Sequence, residues 1–198
     1  MRIGIRQWKK YGGDIEQMTW TPFPLGCSRD GQGGVEHLIV ASVPVKYRQF
    51  EEETCTFSGF ASALHYCSGV LKMGDKQLAS QLSSGATSYA KGRNAQAQLD
   101  LIAKKVKENS TYFRKWELRA KQSRVEEWDI LNKRSPWPTV LVIRGGDGGQ
   151  NHSVTLVNDL VFDSNCTHAL RLSKETLDWC CNCEAGFKRA TYALRFWR

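Results

Sequence analysis

The sequence predicts an α+β fold, because helical periodicity fills its first half, short β-branched runs fill its second, and prolines mark the change. Residues 1–50 carry turn signals at Gly12-Gly13, Pro22, Pro24 and the GQGG run at 31–34. Between them HLIVASVPV (37–45) is rich in β-branched residues and reads as a short strand ending near Pro44. From Cys55 the period changes. Phe57, Phe60, Ala61, Leu64, Tyr66 and Cys67 recur near helical spacing, Ser68-Gly69 closes the run, and the helix begins within a residue or two of Cys55. A second short helix spans 75–84 and stops at Gly85. Residues 94–108 form the clearest amphipathic helix, with Leu99, Ile102, Ala103 and Val106 on one face. Over 112–134, Trp116, Val125, Trp128 and Leu131 are expected to anchor one or two further helices.

After Pro136 and Pro138 the pattern becomes β. TVLVIRG (139–145) reads as a buried strand, GGDGGQ (145–150) as a glycine-rich loop, and 152–164 as a hairpin turning at Asn158-Asp159. A short strand follows at 169–172, then a helix capped by Ser173 with Glu175 in its first turn, then a final strand, ATYALRFW. The expected organisation is one domain over 1–198: an N-terminal segment (1–50), a helical lobe (51–135) and a β lobe (136–198) whose antiparallel sheet packs against the helix that starts at Cys55.

With 198 residues, 41% of them hydrophobic and seven tryptophans, the chain can bury a real core, which excludes a disordered chain. No run of about 18 apolar residues is present, so no membrane span is expected. The opening MRIGIRQWKKYGGD lacks the apolar stretch of a secretory signal. Seven cysteines are an odd number, and together with that opening they point to free thiols in a reducing compartment, cytoplasm or nucleus. The net charge of +8 is concentrated: between Lys91 and Arg134, twelve Lys or Arg face six Asp or Glu. Such a block is either a solvated face or a surface for an acidic partner, nucleic acid among them.

A thiol becomes a useful nucleophile when its pKa falls and a base stands beside it. A helix N-terminus meets the first need, because orphan N–H groups and the helix dipole favour the thiolate. Cys55 is placed for that. His152 starts a strand after the glycine loop and supplies the base; Asp163, eleven residues on, returns along the hairpin to fix the imidazole. Glu51, Glu52 and Glu53 precede the cysteine and would raise its thiol pKa unless they face solvent or meet the basic stretch.

This order of Cys on a helix start, His on a strand and Asp on the next strand resembles the papain-like cysteine peptidases, particularly their compact bacteriocin-processing-like relatives. The likeness rests on QFEEETCTFSGFASALHYCSG and NHSVTLVNDLVFDSN and covers roughly 45–170. In that family a Gln six residues before the nucleophile lines the oxyanion hole, and Gln49 occupies that position here. The resemblance implies a papain-like fold, no cofactor, a polypeptide substrate, and peptidase or isopeptidase activity through Cys55, His152, Asp163 and Gln49. The alternative is a relative without catalytic activity, or a nucleic-acid-binding or assembly domain that uses the basic stretch at 91–134.

Other signals are weaker. Cys166, His168, Cys180, Cys181 and Cys183 cluster late, but adjacent cysteines on a helix diverge and no second C-x₂₋₄-C pair is present. The loop at 145–149 is followed by no Gly-Lys-Ser/Thr of a phosphate loop. His65 lies ten residues along the helix from Cys55, too far to be its base, and Cys67 reads as a small buried hydrophobe.

Overall fold

The computed structural model describes residues 20–22, 39–49, 51, 53–123, 135–144, 151–180 and 189–198. Strands β1 (Trp20–Pro22) and β2 (Ile39–Pro44) precede helices α1 (Cys55–Gly69), α2 (Lys76–Ser84), α3 (Ala86–Ala90) and α4 (Ala95–Asn109). Then come β3 (Lys115–Ser123), β4 (Thr139–Arg144), β5 (Asn151–Val157), β6 (Leu160–Phe162), β7 (His168–Arg171), α5 (Lys174–Cys180) and β8 (Arg189–Trp197). The architecture is α+β. The strands form one sheet in the order β1-β2-β7-β6-β5-β4-β8-β3, and every neighbouring pair is antiparallel.

Local chemistry sets the element ends. The Asp75 carboxylate accepts the N–H groups of Gln77 and Leu78 at 3.0 and 3.1 Å and starts α2. Asn94 Oδ1 accepts the Ala97 N–H at 2.9 Å and starts α4, while Ser173 Oγ accepts the Thr176 N–H at 3.1 Å and starts α5. Each such cap is worth about 1 kcal/mol. The β5–β6 hairpin closes on two residues, Asn158 and Asp159, between the paired Val157 and Leu160. Asn158 takes the left-handed φ of 52° that a two-residue hairpin loop demands, and asparagine tolerates it best after glycine.

Helix α1 is central and buried almost all round, as its small and apolar residues allow. Phe57, Phe60, Ala61 and Leu64 join α2, α3 and α4 in a core that also takes in Val140, Val142, Leu194 and Phe196 of β4 and β8. Farther along the helix, Ala63, Tyr66 and Cys67 pack with Ala41, Leu160, Phe162 and Ala169 from β2, β6 and β7. The expected apolar face of α4 is buried too, at Leu99, Ile102, Ala103 and Val106.

One stretch departs from expectation. The helices expected over 112–134 are replaced, at Lys115–Ser123, by strand β3, the edge partner of β8. Trp116 and Leu118 pack onto the main core, while Lys115 and Arg119 on either side of them are exposed, a period of two rather than 3.6. The N-terminal segment likewise joins the sheet, since β2 pairs with β7. Gly12-Gly13, Pro24, the 31–34 run, Val125, Trp128, Leu131 and the loop at 145–150 lie outside the described residues.

Candidate active site

Cys55 is the first residue of α1. The preceding Thr54 does not cap the helix; its hydroxyl donates to the Glu51 carbonyl at 2.8 Å. No capping side chain therefore occupies the first-turn N–H groups, which keep their pull on negative charge. Glu51 and Glu53 are exposed, as the thiolate requires, and Glu52 lies outside the described residues. Glu53 carries a left-handed φ of 67°, a conformation that costs a non-glycine residue about 1–2 kcal/mol two positions before the thiol.

His152 is the second residue of β5, the strand against which α1 packs. Its Nε2 lies 2.9 Å from Asp163 Oδ1, and Asp163 is fully buried while His152 and Cys55 are each 8% exposed. The same Oδ1 accepts the Asn165 N–H at 2.9 Å, which holds the carboxylate in a turn just after β6. An ionised carboxylate makes Nε2 the N–H donor and leaves Nδ1 as the nitrogen for the thiol, which hydrogen-bonds to the His152 ring. Cys55, His152 and Asp163 thus form one continuous chain, in the order expected from the sequence.

Burial alone would push the Cys55 thiol up. The hydrogen bond from His152 and its positive charge, the Ser153 N–H and the Thr56 hydroxyl outweigh that and hold it below the usual thiol range. For His152, burial opposes the charged form, but the Asp163 carboxylate and the Cys55 sulfur raise the imidazole to about 10. The two shifts are coupled: the imidazole lowers the thiol and the sulfur raises the imidazole, beside a buried carboxylate.

Gln49 is anchored beside this chain. Its N–H donates to the Ser164 carbonyl at 2.9 Å, and Ser164 Oγ donates to Gln49 Oε1 at 3.3 Å. Ser62 of α1 fixes the same segment, accepting the Tyr47 N–H at 2.8 Å and donating to the Tyr47 carbonyl at 3.0 Å. With Oε1 engaged, the Gln49 amide has its Nε2 hydrogens left to donate.

Sequence reasoning missed several supporting groups. Thr56 Oγ1 donates to Ser153 Oγ at 3.0 Å, a buried link between the residues that directly follow Cys55 and His152. Ser62 and Ser164 hold the Gln49 segment, as above. Adjacency to Cys55, His152 and Asp163 was the only signal for Thr56, Ser153 and Ser164; Ser62 had none.

The remaining candidates fall elsewhere. His65 is half-buried, edge-on to Tyr47 with ring centroids 5.9 Å apart; burial and then Lys46 and Lys76 lower its pKa. Cys67 is fully buried, and burial drives its thiol upward, away from reactivity. Cys166 and Cys180 are buried, whereas Cys181 and Cys183 lie outside the described residues. Among the described residues no three His, Cys, Asp or Glu side chains converge as a metal site, and no helix is long and apolar enough to cross a membrane. No protein-family model, curated protein or solved structure matches the chain at a significant level.

Proposed function

We propose that this chain is a cysteine-dependent hydrolase of papain-like design, acting on a peptide or isopeptide bond. The observation that carries the reading is the buried Cys55–His152–Asp163 chain, in which a thiol at a helix start is held below its usual pKa by an imidazole bonded to a carboxylate at 2.9 Å. Buried titratable groups with opposed shifts cluster where proton transfer is needed. The Cys-His-Asp order, the tethered Gln49 and the packing of a helix on an antiparallel sheet support the papain-like assignment.

The chemistry follows from these groups. The Cys55 thiolate attacks the substrate carbonyl carbon, and the C=O electron pair moves to oxygen. That oxyanion takes hydrogen bonds from the Cys55 backbone N–H and Gln49 Nε2; one such donor is worth about 3–4 kcal/mol. The tetrahedral intermediate collapses, the C–N bond breaks, and the His152 imidazolium gives its proton to the departing amine. Neutral His152 then takes a proton from water as the hydroxide oxygen attacks the thioester, and collapse releases the acid and restores the thiolate–imidazolium pair. Asp163 stays ionised throughout and keeps the ring in one tautomer.

A polypeptide substrate is the class the family resemblance implies. The free thiols of Cys55 and Cys67 support a reducing compartment, cytoplasm or nucleus. The test is labelling of the full chain by a peptidyl vinyl sulfone at neutral pH, with the modified residue read by mass spectrometry. Modification at Cys55 alone, abolished together with peptide hydrolysis in Cys55→Ala, is expected; hydrolysis retained by Cys55→Ala would overturn the reading.

A further inference from the structure

The chain turns sharply between α4 and β3. Ser110 Oγ accepts the N–H groups of Tyr112 and Phe113 at 3.2 and 3.1 Å, and the Arg114 N–H donates to the Trp197 carbonyl at 3.2 Å. This turn opens a cavity of about 400 Å³ lined by Lys107, Ser110, Thr111, Phe113, Arg114 and Trp116. Its lining shares no residue with the candidate active site. Phe113 is fully buried and Trp116 half-buried, so the cavity has an aromatic side.

The charges around it are unevenly balanced. The nearby carboxylates are taken by other cations: Glu108 by Lys104 at 3.9 Å and Glu117 by Arg119 at 2.9 Å. Lys105 lies over the Tyr89 ring at 5.3 Å. Lys107 and Arg114, the two cations of the cavity, have no carboxylate within ion-pair distance among the described residues, and both are exposed. Ser110 accepts twice and still has its own proton to donate. Two unpaired cations, two hydroxyls and an indole in a space of this size match a nucleotide, with its phosphate between the cations and its base against the ring. An acidic peptide would satisfy the cations and leave the indole unused.

We infer that the α4–β3 cavity binds single-stranded nucleic acid, with Lys107 and Arg114 on the phosphodiester backbone and Trp116 stacking a base. The site gives a use to two cations of the basic stretch, Lys107 and Arg114, and it stands whether or not the chain is a hydrolase.

The experiment is fluorescence anisotropy of a labelled single strand of about a dozen nucleotides with the full chain, between roughly 50 and 200 mM salt. Binding should weaken with salt, and Lys107→Gln/Arg114→Gln should reduce the log–log slope by about 1.4, or 0.7 per phosphate contact. Trp116→Leu should weaken binding roughly 5- to 150-fold with the slope unchanged. Trp116→Phe, which keeps a ring over the core, should retain most of the affinity if the Leu variant misfolds. Absence of binding at the lowest salt, an unchanged slope in the double variant, or equal competition by oligoglutamate or by a free mononucleotide would each overturn the assignment.

Discussion

Gly59 and Phe162 lie in contact across the helix–sheet interface: a methyl group on Gly59 would stand 3.2 Å from the Phe162 carbonyl oxygen. Gly59 is one turn along α1 from Cys55, and Phe162 directly precedes Asp163. The close approach therefore sets the distance between the nucleophile helix and the strands that carry His152 and Asp163. Gly59→Ala must displace one against the other by a few tenths of an ångström. The expected result is a loss of about 10- to 100-fold in kcat/KM, while overpacking and better helix propensity offset to a stability change under about 2 kcal/mol. Steady-state kinetics beside a urea titration separates the two effects, and unchanged kinetics would remove the spacing role.

Asp163 is fully buried and holds His152 through one oxygen. Asp163→Asn keeps an acceptor for the imidazole N–H but removes the charge that raises the ring. Asp163→Ala removes both and leaves the buried Nε2–H of His152 without its acceptor. Activity should fall in both, by roughly 10²–10⁴-fold in the Ala variant, with Asn retaining more. The sign of the pH effect is fixed: Asp163 favours the charged ring, so in Asp163→Asn the basic limb of the rate profile should move below its wild-type position near pH 10. A limb that stays in place would show that Asp163 does not hold the ring.

Thr56 and Ser153 couple the two halves of the site through hydroxyls 3.0 Å apart. Thr56 also bonds the Cys55 sulfur, so when the thiolate forms its proton can turn to sulfur while Ser153 supplies the link in reverse. Thr56→Val keeps the volume and loses the donor. It should raise the pH at which Cys55 becomes alkylatable, which a merely structural role would not produce, beside a loss of about 1–3 kcal/mol of stability from the orphaned Ser153 hydroxyl.

Phe60 of α1 stacks on Phe196 of β8, with ring centroids 5.1 Å apart and both side chains fully buried. Phe60→Ala should cost about 3–5 kcal/mol of unfolding free energy. A denaturant titration giving less than about 1 kcal/mol would show that α1 is not the centre of the core.

Much of the fold was legible because its local signals agree with its packing. The period from Phe57 to Leu64, the cap at Ser173 and the Asn158-Asp159 turn each describe a piece of chain that behaves as its own residues prefer. Lys115–Ser123 does not. KWELRAKQS is full of good helix formers, and its extended form comes from pairing with β8, residues far away in the sequence. The joining of β2 to β7 is hidden for the same reason. At the site, Cys55, His152 and Asp163 were readable because helix start and hairpin are local features. Ser62 was not, since a serine on a helix gives no sign that it will clasp Tyr47, fifteen residues earlier in the chain.

The most direct measurement is the pH dependence of Cys55 alkylation by iodoacetamide in the wild type and in His152→Ala, with the labelled peptide identified by mass spectrometry. Only the thiolate reacts, so a lowered pKa means that labelling persists below the usual thiol value of about 8.5 and fades as pH falls through the lowered value. Hydrolysis, which also needs the imidazolium, should instead fall again as pH rises through about 10. The expected result is a Cys55 midpoint below 8.5 in the wild type that moves upward in His152→Ala. A midpoint at or above 8.5 in both proteins would contradict the thiolate–imidazolium pair and the nucleophilic role of Cys55 with it.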